Sequence, residues 1–267
     1  KLYFREYGDP YGPATPLLCL GGLTRNSKDF HALAKRHAAE RRVICPDYRG
    51  RGRSAYDPDW RNYHPRTYLE DIRHLLAVCG IHKVTVIGTS LGGILAAALS
   101  VTMPSALAGV VLNDVGPDVD SSGLGRIITY MMDDTPLPNW DSAVATLKRI
   151  FPGVAAPDER TWRSIAEATY RLDENGKLRF DWDVDIVKPL VRTQEIEDLW
   201  PLFKALRPIP VLAIRGETSD ILSIDTFARM NDALPQMVPL TVPGVGHVPS
   251  LNEQISIDAI HELLGRT

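Results

Sequence analysis

The sequence predicts an α/β fold, a doubly wound and mostly parallel sheet with a helical cap inserted between core strands. Three observations predict it. Short apolar runs alternate with helical patterns near both ends of the chain, the rhythm of parallel strands joined by crossover helices. That rhythm fails from about residue 117 to 208, where helical patterns succeed one another with no apolar strand run. Between these regimes, Val84–Ile87 ends in Gly88-Thr89-Ser90-Leu91-Gly92, a glycine-bounded turn that lets a strand pass sharply into a helix.

Taken in order, Leu17–Leu20 is the first expected strand and Lys28–Arg41 the first helical pattern. Arg42–Cys45 and Arg66–Cys79 form the next strand and helix, and Lys83–Ile87 and Leu91–Met103 flank the serine turn. Gly109–Asn113 is the last strand before the break. Val84–Ile87 and Val110–Leu112 are continuously apolar, as strands covered on both faces must be. The alternation resumes with Val211–Ile214, Thr226–Leu234, Met237–Val242 and Gln254–Leu264. The expected division is therefore a core in two parts, 1–116 and 209–267, with a cap over 117–208. The cap patterns are Leu124–Asp133, Asp141–Phe151, Asp158–Tyr170 and Thr193–Leu206. Trp140, Trp162, Trp182 and Trp200 also fall there, which gives that segment apolar faces to lay over the strand ends.

Composition narrows the function. At 267 residues, 44% hydrophobic and 24% charged, the chain suits one large α/β domain with a sizeable core. A net charge of −3 gives no field favouring nucleic acid or anionic membrane, and Arg49-Gly50-Arg51-Gly52-Arg53 is too short and glycine-broken to change that. Cys19, Cys45 and Cys79 are odd in number and widely spaced, which reads as reduced thiols and a cytoplasmic setting. No Cys/His group has zinc spacing, so neither metal nor cofactor is expected. Glu70 and His74 read as a solvated i,i+4 pair. No apolar run is long enough to span a bilayer, and no signal peptide is read at the start. Oligomeric state leaves no trace in the sequence.

In an open parallel sheet, ligands bind beyond the carboxyl ends of the strands. Four such ends carry reactive chemistry: Gly21–Asn26, the Ser90 turn, Arg215–Asp220 and Pro243–Pro249. A serine hydroxyl is a poor nucleophile at neutral pH and needs a base within hydrogen-bond reach. His247, alone of the seven histidines, sits in a glycine-rich loop after a strand, where its near-neutral pKa suits it to take and return a proton. Asp220, in the Arg215–Asp220 segment, is a candidate acid that would hold the imidazole tautomer. His31, His37, His74, His82 and His261 lie in polar helical or turn settings, which read as solvated surface, and His64 beside Pro65 reads as a turn residue.

Ser90, Asp220 and His247 thus follow the order nucleophile, acid, base on a strand–helix alternation, and in this the chain resembles the α/β-hydrolase fold family. Further marks are Pro46-Asp47-Tyr48-Arg49-Gly50-Arg51-Gly52-Arg53-Ser54, Gly-Thr-Ser-Leu-Gly-Gly, Arg-Gly-Glu-Thr-Ser-Asp and Gly-Val-Gly-His. The resemblance covers essentially the whole chain. It implies a catalytic triad of Ser90, Asp220 and His247, with Asp114 as an alternative acid, because some members carry it after the preceding core strand. It also implies an oxyanion hole built from the backbone N–H groups of Leu91 and Leu23. The chain departs from the family's His-Gly-x loop by having Gly21 where histidine is usual.

The activity so implied is hydrolysis of a small or medium carboxylic ester or lactone through an acyl-enzyme on Ser90. A serine at this turn argues against the dehalogenase and epoxide hydrolase branches, which use aspartate. Two other readings stay open: a carbon–carbon hydrolase or enol-lactonase of aromatic catabolism, and a ligand-binding member with a vestigial triad. For the former, Arg25 and Asn26 are candidate substrate-binding residues, since a guanidinium beside the oxyanion loop could grip a carboxylate.

Overall fold

Among the described residues, seven strands line up in one sheet in the order Tyr3–Tyr7, Val43–Asp47, Leu17–Leu20, Val84–Thr89, Leu107–Asn113, Val211–Gly216, Met237–Val242. The computed structural model describes residues 1–119, 121–154, 156–192 and 198–267. The first part of the chain lays down β1 (Tyr3–Tyr7), β2 (Leu17–Leu20), α1 (His31–His37), β3 (Val43–Asp47) and α2 (Pro65–Val78). It continues with β4 (Val84–Thr89), α3 (Leu91–Thr102) and β5 (Leu107–Asn113). Next come α4 (Ser121–Met131), α5 (Trp140–Ile150), α6 (Glu159–Thr169), the hairpin β6 (Tyr170–Leu172) and β7 (Leu178–Phe180), α7 (Lys188–Arg192) and α8 (Trp200–Lys204). The chain then returns through β8 (Val211–Gly216), α9 (Ile224–Ala233), β9 (Met237–Val242) and α10 (Gln254–Leu264).

Only β1 runs antiparallel to its neighbour, β3; the other pairings of the large sheet are parallel. The sequence reading missed β1, whose residues are half-buried or exposed and mix charges with tyrosines, so no apolar run marks it. It also missed the β6–β7 hairpin, whose strands are three residues each. Elsewhere the pattern follows burial. Leu18 and Leu20 of β2 pack into one core cluster and Leu17 and Cys19 into the other. Val211 and Ala213 against Leu212 and Ile214 split β8 in the same way. A sheet buried on both faces needs apolar side chains at every position, hence the continuous runs. α2, α3 and α8 cover one face, and α1 and α10 the other.

Local chemistry fixes where the helices start. α2 begins with Pro65 at its first position, and His64 accepts the Arg66 N–H as N-cap, so His64 is a capping residue. Asn139, Asp158 and Ser223 cap α5, α6 and α9 through their side chains. α1 is shorter than expected, because Asn26 first caps a 3-10 turn over Ser27–Phe30. Part of the Thr193–Leu206 pattern lies outside the described residues. No described helix is long and apolar enough to cross a membrane.

The segment between β5 and β8 is stitched to the core along one seam. Gly52 N–H donates to Asp181 O at 2.8 Å and Asp183 N–H to Gly50 O at 2.7 Å. At the same seam, Asn26 Nδ2 donates to Ala168 O and Lys28 Nζ to Glu167 O, so two side chains from the core satisfy the last carbonyls of α6.

Candidate active site

The turn between β4 and α3 is shaped by close backbone contact. Ser90 has φ 51 and ψ −117, a conformation few side chains adopt, and it is held there by its N–H bonding to Asn113 O at 3.0 Å. A Cβ on Gly88 would stand 2.4 Å from Gly92 O, and one on Gly92 would stand 2.1 Å from Leu20 O. Glycine is therefore required at both positions for α3 to fold back against β2 and β4. Ser90 precedes α3 without a cap bond from its side chain; Gly93 and Ile94 N–H donate to Ser90 O, and the Leu91 and Gly92 amides have no side-chain acceptor among the described residues. Those amides and the helix dipole favour negative charge at the serine.

The loop after β2 lies against this turn. A Cβ on Gly22 would be 3.7 Å from Ser90 Cβ. Neither Leu23 N–H nor Leu91 N–H donates to a protein acceptor among the described residues. The two amides expected to form an oxyanion hole are thus both beside the serine and both unengaged.

His247 follows β9, and its Nδ1 meets Asp114 Oδ2 at 2.7 Å. Asp114 is fully buried at the end of β5 with φ 55. Its carboxylate also accepts from Gly216 N–H (2.8 Å) and Ser219 Oγ (2.6 Å). Three donors hold a buried carboxylate that would otherwise be costly to desolvate. With Nδ1 so engaged, Nε2 is the imidazole nitrogen left for the cavity that His247 and Ser90 both line.

The structure places Asp220 away from this pair. Asp220 is 41% exposed in its side chain and pairs with Arg126 at 2.5 Å. The turn after β8 brings Ser219 rather than Asp220 to the imidazole's partner. Asp114, the alternative acid, holds the place beside His247.

Arg25 and Asn26 diverge. Arg25 lines the cavity, but Nε and one Nη face Asp29 at 2.6 Å each, and the other Nη donates to Thr169 Oγ1 at 2.6 Å. Burial pulls its pKa down, and Asp29 more than offsets this, so the guanidinium is held charged and already paired. Asn26 is 2% exposed and away from the cavity wall, and its side chain caps the 3-10 turn and binds Ala168 O and Asp181. Its side chain is thus engaged within the protein and not at the cavity. His37 departs from the solvated setting expected of it. It is buried, and burial with Arg36 and Arg41 nearby lowers its pKa.

The cavity holds about 480 Å³. Ser90, His247 and Gly21–Leu23 line it, together with the apolar side chains of Ile127, Leu147, Phe151, Val154, Trp162 and Ile165. Of the four tryptophans of that segment, only Trp162 reaches the cavity. Asn113 and Ser219 went unnoticed in the sequence. Asn113 lines the cavity and donates to Thr89 Oγ1 and Pro249 O, tying the serine turn to the histidine loop. Each stands next to an aspartate the sequence did single out, and that adjacency was the available signal.

Residues 17–255 match the family described as alpha/beta hydrolase. The chain belongs to that family. It is 31% identical to the 3-hydroxybutyrate-oligomer hydrolase of Cupriavidus necator, across 96% of this chain and 90% of the relative. It is 26% identical to the 2-(acetamidomethylene)succinate hydrolase of Mesorhizobium japonicum, across 97% and 90%. An alpha/beta hydrolase from Novosphingobium aromaticivorans superposes with a TM-score of 0.93 at 43% identity, covering 100% of this chain and 94% of that one. Hydrolase activity on small molecules is the coarse function these alpha/beta hydrolase relatives support.

Proposed function

We propose that this alpha/beta hydrolase is a serine hydrolase that cleaves a small or medium carboxylic ester or lactone through an acyl-enzyme on Ser90. The observation that carries the reading is the buried Asp114–His247 contact at 2.7 Å, at a cavity that Ser90 also lines. His247 Nε2 takes the proton as Ser90 Oγ attacks the carbonyl carbon, and Asp114 holds the tautomer and steadies the imidazolium. The N–H groups of Leu23 and Leu91 receive the developing oxyanion. The imidazolium then protonates the leaving alcohol, and water repeats the sequence to release the acid.

In this reading residues 117–208 act as a cap whose apolar wall receives the acyl chain. A cavity of about 480 Å³ lies within the ~300–1,000 Å³ of small-ligand sites. The named action of the Cupriavidus relative on a 3-hydroxybutyrate oligomer supports an aliphatic ester. A carboxylate clamp at Arg25 has less support, because Asp29 already neutralises that charge.

The test is hydrolysis of p-nitrophenyl butyrate together with labelling by a fluorophosphonate. The wild-type chain should be labelled on Ser90 and turn over the ester. Ser90→Ala should lose both, and an unchanged rate in that variant would overturn the proposal.

A further inference from the structure

Directly behind the loop that carries Leu23 stands a buried guanidinium with no carboxylate against it. Arg51 is 0% exposed and forms no ion pair among the described residues. Its charge lies over the rings of Tyr48 and Tyr68, 5.5 and 4.9 Å from their centroids. One Nη donates to Arg49 O at 2.9 Å and Tyr68 Oη at 3.0 Å, while Nη2 is buried without a partner among the described residues. Nε donates to Leu23 O at 2.5 Å. A buried charge left partly unsatisfied is poorly explained by stability alone.

Peptide geometry gives that last bond a purpose. The Leu23 N–H belongs to the Gly22–Leu23 peptide, whose carbonyl accepts the Arg25 N–H at 3.1 Å. In a trans peptide the C=O and N–H point opposite ways, so a bond that fixes the one aims the other. Both neighbouring planes are pinned as well. Tyr48 Oη donates to Gly21 O at 3.2 Å on one side, and Arg51 holds Leu23 O on the other. Gly22, the glycine between these anchors, has wide backbone freedom, and without the anchors the plane could swing.

We propose that Arg51 and Tyr48 are positioning residues that fix the amide plane of Leu23 for the charge that develops on the substrate oxygen. The inference rests on the oxyanion role proposed above for Leu23. Neither side chain lines the cavity, so both act through the loop and not on substrate.

Arg51→Lys keeps a cation but cannot reach Leu23 O, Arg49 O and Tyr68 Oη together in one plane, and Tyr48→Phe removes a single hydroxyl and keeps the ring. Full loss of an oxyanion donor costs about 10²–10³ in kcat, so a misaimed donor should cost roughly tenfold in Arg51→Lys and about threefold in Tyr48→Phe, with KM on p-nitrophenyl butyrate within about twofold. A trifluoromethyl ketone, to which Ser90 Oγ adds to leave an oxyanion, should lose affinity by the same factor as kcat/KM. Tyr48→Phe carries the test should Arg51→Lys fold poorly. An unchanged kcat, a rise in KM alone, or a fall in kcat with no loss of ketone affinity would overturn the proposal. If Ser90→Ala is inactive in the same series, the serine hydrolase reading survives that failure. An active Ser90→Ala would instead sink the reading beneath it.

Discussion

Replacing Asp114 by asparagine tests the acid assignment most directly. The carboxylate accepts from Gly216 N–H, Ser219 Oγ and His247 Nδ1, so it needs acceptors on both oxygens. An amide has only one. If its oxygen stays with Gly216 N–H, its NH₂ faces Nδ1 and forces that nitrogen to accept. The proton then sits on Nε2, which can no longer receive one from Ser90. A wrong tautomer of this kind in a Ser-His-Asp site lowers kcat by about 10⁴ while leaving the geometry intact. Asp220→Asn breaks instead a half-exposed pair with Arg126, and such pairs are worth about 0–1 kcal/mol, so kcat/KM should fall by no more than about fivefold. The assay is p-nitrophenyl butyrate hydrolysis on both variants, with thermal melts to show that each is folded. A folded Asp114→Asn within tenfold of wild type, beside an Asp220→Asn that has lost activity by orders of magnitude, would refute the reasoning.

Three other outcomes are expected. Ser219→Ala removes one charge-assisted bond to Asp114, worth about 1.5–3 kcal/mol, and should lower kcat by roughly tenfold or more on the same ester. Gly92→Ala drives a methyl into Leu20 O and should destabilise the fold by about 3 kcal/mol or more, read as a lower urea midpoint with unchanged slope. His37 titrates lower in the fold than its ordinary 6.5, so the unfolded chain takes the proton first and stability should fall as pH drops through 6.5 toward the folded value. His37→Gln should flatten that slope in melts at stepped pH, while His31, also lowered by burial, leaves part of it.

The elements readable in the sequence are those whose cause is local. Val84–Ile87 announces itself because burial on two faces demands an unbroken apolar run, and the serine turn because only glycine fits against Leu20 O and Gly92 O. β1 was hidden because an edge strand has one covered side and carries charges on the other. Which aspartate meets His247 was hidden for a different reason. Asp114 and Asp220 both follow core strands, and which reaches His247 depends on how the turn after β8 folds in space. Ser219 bonds to Asp114 and to the N–H groups of Ile221 and Leu222, which turns Asp220 outward to Arg126. Arg25 shows a cue that was present and passed over: Asp29 lies four residues on, one helical turn away, and claims the charge.

β4 and β5 are neighbours in register, from Thr85 with Gly109 through Thr89 with Asn113, and Ser90 and Asp114 are the residues that come next on each. Two of the three groups in the proposed relay are therefore mounted on adjoining rungs, their separation set by interstrand spacing. The imidazole comes from a separate loop after β9, which Asn113 ties back to the serine turn. The outer helices can therefore change without altering that spacing, provided the turn after β8 still holds Asp114 and the loop after β9 still brings the imidazole to it.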